Sequence, residues 1–119
     1  MEFFIQKGAT LPLLKMQIVK DGRTDYSGIT SFIETSSITF SMIDVSTGIP
    51  KIVSNGAGFV SKTFIDPIHT PEYYIYYRFS QKDTNKVGRY EGQFLLKNDI
   101  GDLIVPIREP LFINVVDFI

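Results

Sequence analysis

The sequence predicts an all-β sandwich, and three observations carry that prediction. Apolar and polar residues alternate with a period of two, turn-forming residues interrupt the alternation at short intervals, and helical periodicity never persists beyond a turn. Short strands separated by regular turns belong to sandwiches and barrels rather than to alternating β and α units. Strands are expected near 2–7, 13–19, 37–44, 49–54, 59–65, 72–80, 89–97 and 103–116.

The strongest strands are the long ones. Ile38, Phe40 and Met42 alternate with Thr39, Ser41 and Ile43, the pattern of a half-buried strand. Between Glu72 and Ser80, Tyr73, Ile75, Tyr77 and Phe79 share one face while Tyr74, Tyr76 and Arg78 share the other. Tyr90, Gly92, Phe94 and Leu96 fall opposite Glu91, Gln93, Leu95 and Lys97. The final stretch contains Pro106 and Pro110, which cannot donate ladder hydrogen bonds, so a kinked or bulged strand at a sheet edge is expected there. Between Ile29 and Ser36 a Ser31-x-x-Glu34 pattern predicts one helical turn in a loop. The loop Asp66 to Pro71 reads as rigid and exposed.

The connections carry residues that tolerate positive φ: Asp21-Gly22, Ser46-Thr47-Gly48, Asn55-Gly56 and Asn98 to Gly101. The run Asp83 to Tyr90 says more. A tyrosine placed two residues past Gly88, at the start of a late strand, fits the corner at which a buried ring returns its hydroxyl to the upstream backbone. Asp83, Gly88 and Tyr90 are therefore the expected corner residues. The fold class that follows is an immunoglobulin-like antiparallel β-sandwich of about seven to eight strands, forming one domain over residues 1–119.

A chain of 119 residues buries roughly two thirds of its unfolded surface and needs neither metal nor disulfide to hold it. Cysteine is absent, which removes disulfides, thiolate metal sites and thiol nucleophiles. Twelve basic and thirteen acidic residues, a net charge of −1, supply no phosphate-neutralising stripe, so no nucleic-acid partner is expected. No apolar run approaches the roughly 20 residues that span a bilayer, and neither a signal peptide nor an N-x-S/T sequon is read. No membrane partner is expected.

Catalytic chemistry is not indicated. His69, the sole histidine, lies between two prolines, and no cysteine or second histidine could complete a metal site or a triad with it. Asp99 and Asp102 flank Gly101 without calcium-loop spacing, and turn formation accounts for them. Gly56-Ala57-Gly58 precedes a strand rather than a helix, so it reads as a hairpin turn and not a phosphate cradle. No cofactor, no metal and no catalytic residue is expected.

Surface aromatics are more informative. If Ile75, Tyr77 and Phe79 line the core, Tyr74, Tyr76 and Arg78 form an outward stripe of residue types enriched at interfaces, although cross-strand pairing on a solvated sheet would also use them. In the last strand, Leu111, Ile113 and Val115 oppose Phe112, Asn114, Val116 and Phe118. A strand apolar on both faces is covered on both, here either by another chain or by the protein's own loops or N-terminus. Tyr74, Tyr76, Arg78, Phe112 and Phe118 are the expected contact residues.

Gly8-Ala9-Thr10, Asp21-Gly22, Asp25-Tyr26-Ser27-Gly28, the Ile38 to Asp44 strand with Gly48, Asp83-Thr84 through Gly88-x-Tyr90 and the Gly101 hairpin together resemble the N-terminal domain of phage baseplate upper proteins and related tailed-phage virion domains. The likeness spans nearly the whole chain and departs at Ile29 to Ser36, at the His69 loop and in stopping at Ile119, where such proteins continue into an arm or receptor-binding region. The resemblance implies a non-enzymatic structural component of a tailed-phage virion, in the tail, baseplate, neck or fibre-attachment layer. It implies docking to other virion proteins as multiple copies on a symmetric ring, and location in the virion after synthesis in the host cytoplasm. The alternative is a carbohydrate-binding or adhesion module in which Tyr74 and Tyr76 stack on sugar rings.

Overall fold

A computed structural model of the chain describes residues 1–17, 35–62, 72–106 and 109–117. The elements among them are nine strands: β1 (Glu2–Gln6), β2 (Leu14–Gln17), β3 (Ser37–Asp44), β4 (Pro50–Gly56), β5 (Gly58–Lys62), β6 (Glu72–Tyr77), β7 (Gly88–Lys97), β8 (Asp102–Val105) and β9 (Leu111–Val116). They form two sheets in a sandwich. The larger runs β1-β9-β7-β3-β4, with β8 also paired to β7, and the smaller runs β2-β6-β5.

Period-two alternation decides which side chains meet between the sheets. Ile38, Phe40 and Met42 of β3, Phe94 and Leu96 of β7 and Ile113 and Val115 of β9 point inward from the larger sheet, against Leu14 and Met16 of β2 and Ile75 and Tyr77 of β6. Aromatic rings join the layers: Phe40 stacks on Tyr77 at 4.7 Å and meets Phe94 at 4.9 Å, while Phe79 stands edge-on to Tyr77 at 5.2 Å. Offset and edge-to-face pairs at these separations are worth about 0.5–1.5 kcal/mol each beyond their buried area.

Two turns fall where the sequence places them. Between β3 and β4, Asp44 Oδ1 accepts from Ser46 N and Ser46 Oγ, and Gly48 adopts φ 71° to close the turn onto Asp44 O. Between β7 and β8, Asn98 Oδ1 accepts from Ile100 N, and Asn98 N donates to Gly101 O.

Five expectations are corrected. The segment expected as one strand over 103–116 is two, β8 and β9, which lie in tandem along the same side of β7. Pro106 and Pro110 bracket the break because neither supplies a ladder donor. The second half is not at a sheet edge either, because β1 covers its far side. The strand count is nine rather than seven to eight among the described residues, and the pairing is not wholly antiparallel: β1 runs parallel to β9, from Glu2 opposite Phe112 to Gln6 opposite Val116. A parallel pair requires a long crossover, and nearly the whole domain serves as one here. Finally, Gly56-Ala57-Gly58 is not a hairpin: β4 pairs with β3 and β5 with β6, so the glycines carry the chain from one sheet to the other. Phe118, His69, the turn Asp21-Gly22 and most of the stretch Ile29 to Ser36 lie outside the described residues.

Candidate functional surfaces

Tyr90 is 1% exposed, and its hydroxyl donates to Lys86 O at 3.0 Å, four residues upstream. Burial, followed by the nearby Asp44 carboxylate, pushes its phenol above the usual tyrosine range. Asp83 does not reach Tyr90. Its Oδ2 accepts from the Tyr77 hydroxyl at 2.8 Å and from Ser80 N at 2.8 Å, while Asp83 N donates back to Ser80 Oγ at 3.3 Å. The reciprocal bonds have the form of a capping box closing one turn. Burial, opposed by the amide of Asn55 and reinforced by Asp83, pushes the Tyr77 hydroxyl up to about 12. Thr84, fully buried, donates from Oγ1 to Ala9 O and accepts Gly8 N at its carbonyl, tying the N-terminal segment to the corner. Gly88 carries no steric demand, since an added Cβ would sit 3.6 Å from the Tyr90 ring, in ordinary contact.

The two outer faces differ. On the smaller sheet, register places Lys15 beside Tyr76 and Gln17 beside Tyr74, with Gly58 opposite Tyr76 on the other flank. Tyr74 and Tyr76 are half-buried and Arg78 is exposed. The Tyr76 ring is laid across β5: a Cβ on Gly58 would fall 2.7 Å from its Oη and 2.8 Å from its Cζ. Lys15 Nζ lies 4.8 Å from the centroid of the Tyr74 ring, within cation–π range.

The outer face of the larger sheet carries apolar residues that the sequence pattern did not single out. Phe4 is 59% exposed, Ile104 51% and Ile43 41%, beside the half-buried Leu95, Phe112 and Val116. Phe112 is partly sheltered by its own chain. The Arg89 guanidinium stacks on its ring at 3.9 Å and pairs with Glu2 at 2.9 Å, and Glu2 also accepts from Asn114 Nδ2. Of the two covers open in the sequence for this outward face, the N-terminal strand therefore supplies part.

The expected contact residues do not form one surface. Tyr74, Tyr76 and Arg78 face outward from one sheet and Phe112 from the other, so a single flat partner cannot meet both sets. Sequence reasoning missed Lys15, Gln17 and Gly58 on the first face and Phe4, Ile43 and Ile104 on the second. Lys15 and Gln17 were readable, since they alternate with Leu14 and Met16, but their neighbours depended on knowing that β2 pairs with β6.

Among the described residues, no three His, Asp or Glu side chains gather where they could hold a metal ion. An open cleft of about 290 Å³ lies beside the β7–β8 turn, lined by Thr35, Asn98, Asp99 and Ile100, with Asp99 its one carboxylate. Asp44 is held below the usual carboxylate range by hydrogen bonds from the Ser46 side chain and backbone, which is turn chemistry. No protein-family model, curated protein or solved structure matches the chain.

Proposed function

We propose that the chain is an immunoglobulin-like structural module of a tailed-phage virion, non-enzymatic, and docked to other virion proteins through the outer face of its larger sheet. The observation that carries the docking is the exposure of Phe4, Ile43 and Ile104 on that face, which also bears the half-buried Phe112 and Leu95 and interleaves them with Arg89, Glu91 and Gln93. Aromatic side chains are enriched at contact surfaces, in company with arginine.

The immunoglobulin-like assignment draws support from strand order. The series β2-β6-β5 matches B-E-D, and β4-β3-β7-β9 matches C′-C-F-G. Tyr90 then stands at the start of strand F with its hydroxyl on the upstream backbone. Gly92, two residues on, occupies the place of the second cysteine of antibody domains, and the ring of Phe40 fills the space above it. The tail, baseplate, neck or fibre-attachment layer, with copies repeated on a ring, is the setting that the turn sequence resembles.

The test is incorporation. Phe4→Ser and Ile104→Ser should leave thermal unfolding of the isolated chain nearly unchanged and reduce the copies found in purified virions, a central contact costing about 2 kcal/mol or more on truncation. Variants that fold and assemble like the parent would refute docking through this face, and absence of the parent chain from purified particles would refute the virion setting.

A further inference from the structure

The outer face of the smaller sheet is built for a different occupant. Tyr74 and Tyr76 sit two residues apart on β6, about 7 Å along the strand. Gly58 is what allows the Tyr76 ring to lie down, because any other residue at that outward position would place a Cβ within 2.7 Å of the hydroxyl. A ring laid along a sheet cannot insert into a pocket as interface anchors do. It offers a π face instead, and a pyranose offers the matching surface, a patch of C–H bonds on one side of the sugar ring with hydroxyls around its edge.

Charge narrows the ligand further. By register the charged positions of this face among the described residues are Lys15, Arg78 and the oppositely charged cross-strand pair Lys62 and Glu72, a net cationic set in which Lys15 lies between Arg78 and Gln17. Lys15 is held over the Tyr74 ring, so its ammonium stands beside the platform. We propose that this face binds an acidic oligosaccharide, with a sugar ring stacked on Tyr76 and its carboxylate or phosphate substituent at Lys15 and Arg78. The inference does not rest on the docking face, which lies on the opposite side of the sandwich.

The chain contains no tryptophan, so its intrinsic fluorescence comes from tyrosine, and a ligand stacked on Tyr76 is read directly. The full chain is titrated with galacturonate, glucuronate, sialic-acid and phosphorylated oligosaccharides, with their neutral counterparts, with an oligo-thymidine strand and with oligo-glutamate. The expected result is saturable quenching by at least one acidic saccharide below about 1 mM, with the neutral counterpart and both non-sugar polyanions at least about tenfold weaker. Tyr76→Ala and Gly58→Ala should each weaken that binding about tenfold or more, Lys15→Gln should weaken it and reduce its salt dependence, and Phe4→Ser should leave it unchanged. Thermal unfolding checks that each variant is folded. No quenching by any acidic saccharide up to about 10 mM would overturn the proposal. Equal binding of oligo-thymidine or oligo-glutamate, lost in the same variants, would overturn it in favour of a nucleic-acid or protein partner. Should Gly58→Ala fail to fold, Tyr76→Ala decides alone.

Discussion

Replacing Tyr90 by phenylalanine isolates one hydrogen bond. The ring is 1% exposed and the change removes a single oxygen, so packing is conserved while the 3.0 Å bond to Lys86 O is lost. The acceptor belongs to a turn whose flanking side chains, Asn85, Lys86 and Val87, are exposed, and water can reach the vacated carbonyl. The loss is therefore the net worth of one hydrogen bond, about 0.5–1.5 kcal/mol, rather than the larger penalty of an orphaned buried group. At roughly 2.1 cal/mol/K of unfolding entropy per residue, a 119-residue chain loses about 4 °C per kcal/mol, so Tm should fall by about 2–6 °C. Calorimetry at neutral pH, paired with urea unfolding to check that the m-value is constant, measures it. Tyr77→Phe supplies the scale. That hydroxyl donates to the buried Asp83 carboxylate and accepts from Asn55, so its removal takes away two hydrogen bonds, one of them to a charged acceptor that keeps only Ser80 N, and should cost about 1–3 kcal/mol. An unchanged Tm for Tyr90→Phe, or a loss exceeding that of Tyr77→Phe, would refute the assignment of Tyr90 as the hydroxyl that closes the corner.

Other substitutions test the core and the pH response. Gly92→Ala would place a methyl 2.7 Å from both Ile113 Cδ1 and Phe40 Cζ, and should destabilise by about 1–3 kcal/mol in denaturant titration. Gly88→Ala, with its nearest neighbour at 3.6 Å, should stay within about 0.5 kcal/mol of the parent in the same assay. Stability should decline in alkali. Tyr77 keeps its proton in the folded state to about pH 12, whereas the unfolded chain releases it near 10, so its contribution is complete below pH 10 and lost on the way to 12. Allowing for solvent screening, the loss is about 1–2 kcal/mol, and Tyr77→Phe should flatten that part of the pH profile.

Local signals located most of the strands, and the reasons for the failures are equally local. The alternation of Ile38, Phe40 and Met42 and of Tyr90 to Leu96 marks β3 and β7, the two longest strands, because each has one wet and one dry face. Tyr74, Tyr76 and Arg78 were legible as outward for the same reason. Alternation names the face of a strand but not its neighbours, and pairing decided what remained. Asn55-Gly56 reads as a hairpin by composition, yet β4 and β5 belong to different sheets. Pro106 and Pro110 warned of an irregular strand without revealing that β1 would flank its second half. The cover of Phe112 stayed open between another chain and the protein's own segments because Arg89 and Glu2 lie far from it in sequence, and Gly58 looked like a turn residue because its significance is the ring laid over it from the next strand.

The parallel pairing of β1 with β9 has a mechanical consequence. Met1 lies beside the start of β9, its ammonium bonded to Pro110 O at 2.9 Å, while the end of β9 lies beside Gln6 and Lys7. A tension applied between Met1 and Asp117 would act along both strands in opposite directions, so the ladder from Glu2–Phe112 to Gln6–Val116 is loaded in shear. All of its rungs share the force at once, whereas strands peeled from one end would yield rung by rung. A load applied lengthwise is resisted by all of these rungs together, and one applied sideways to β1 alone is not.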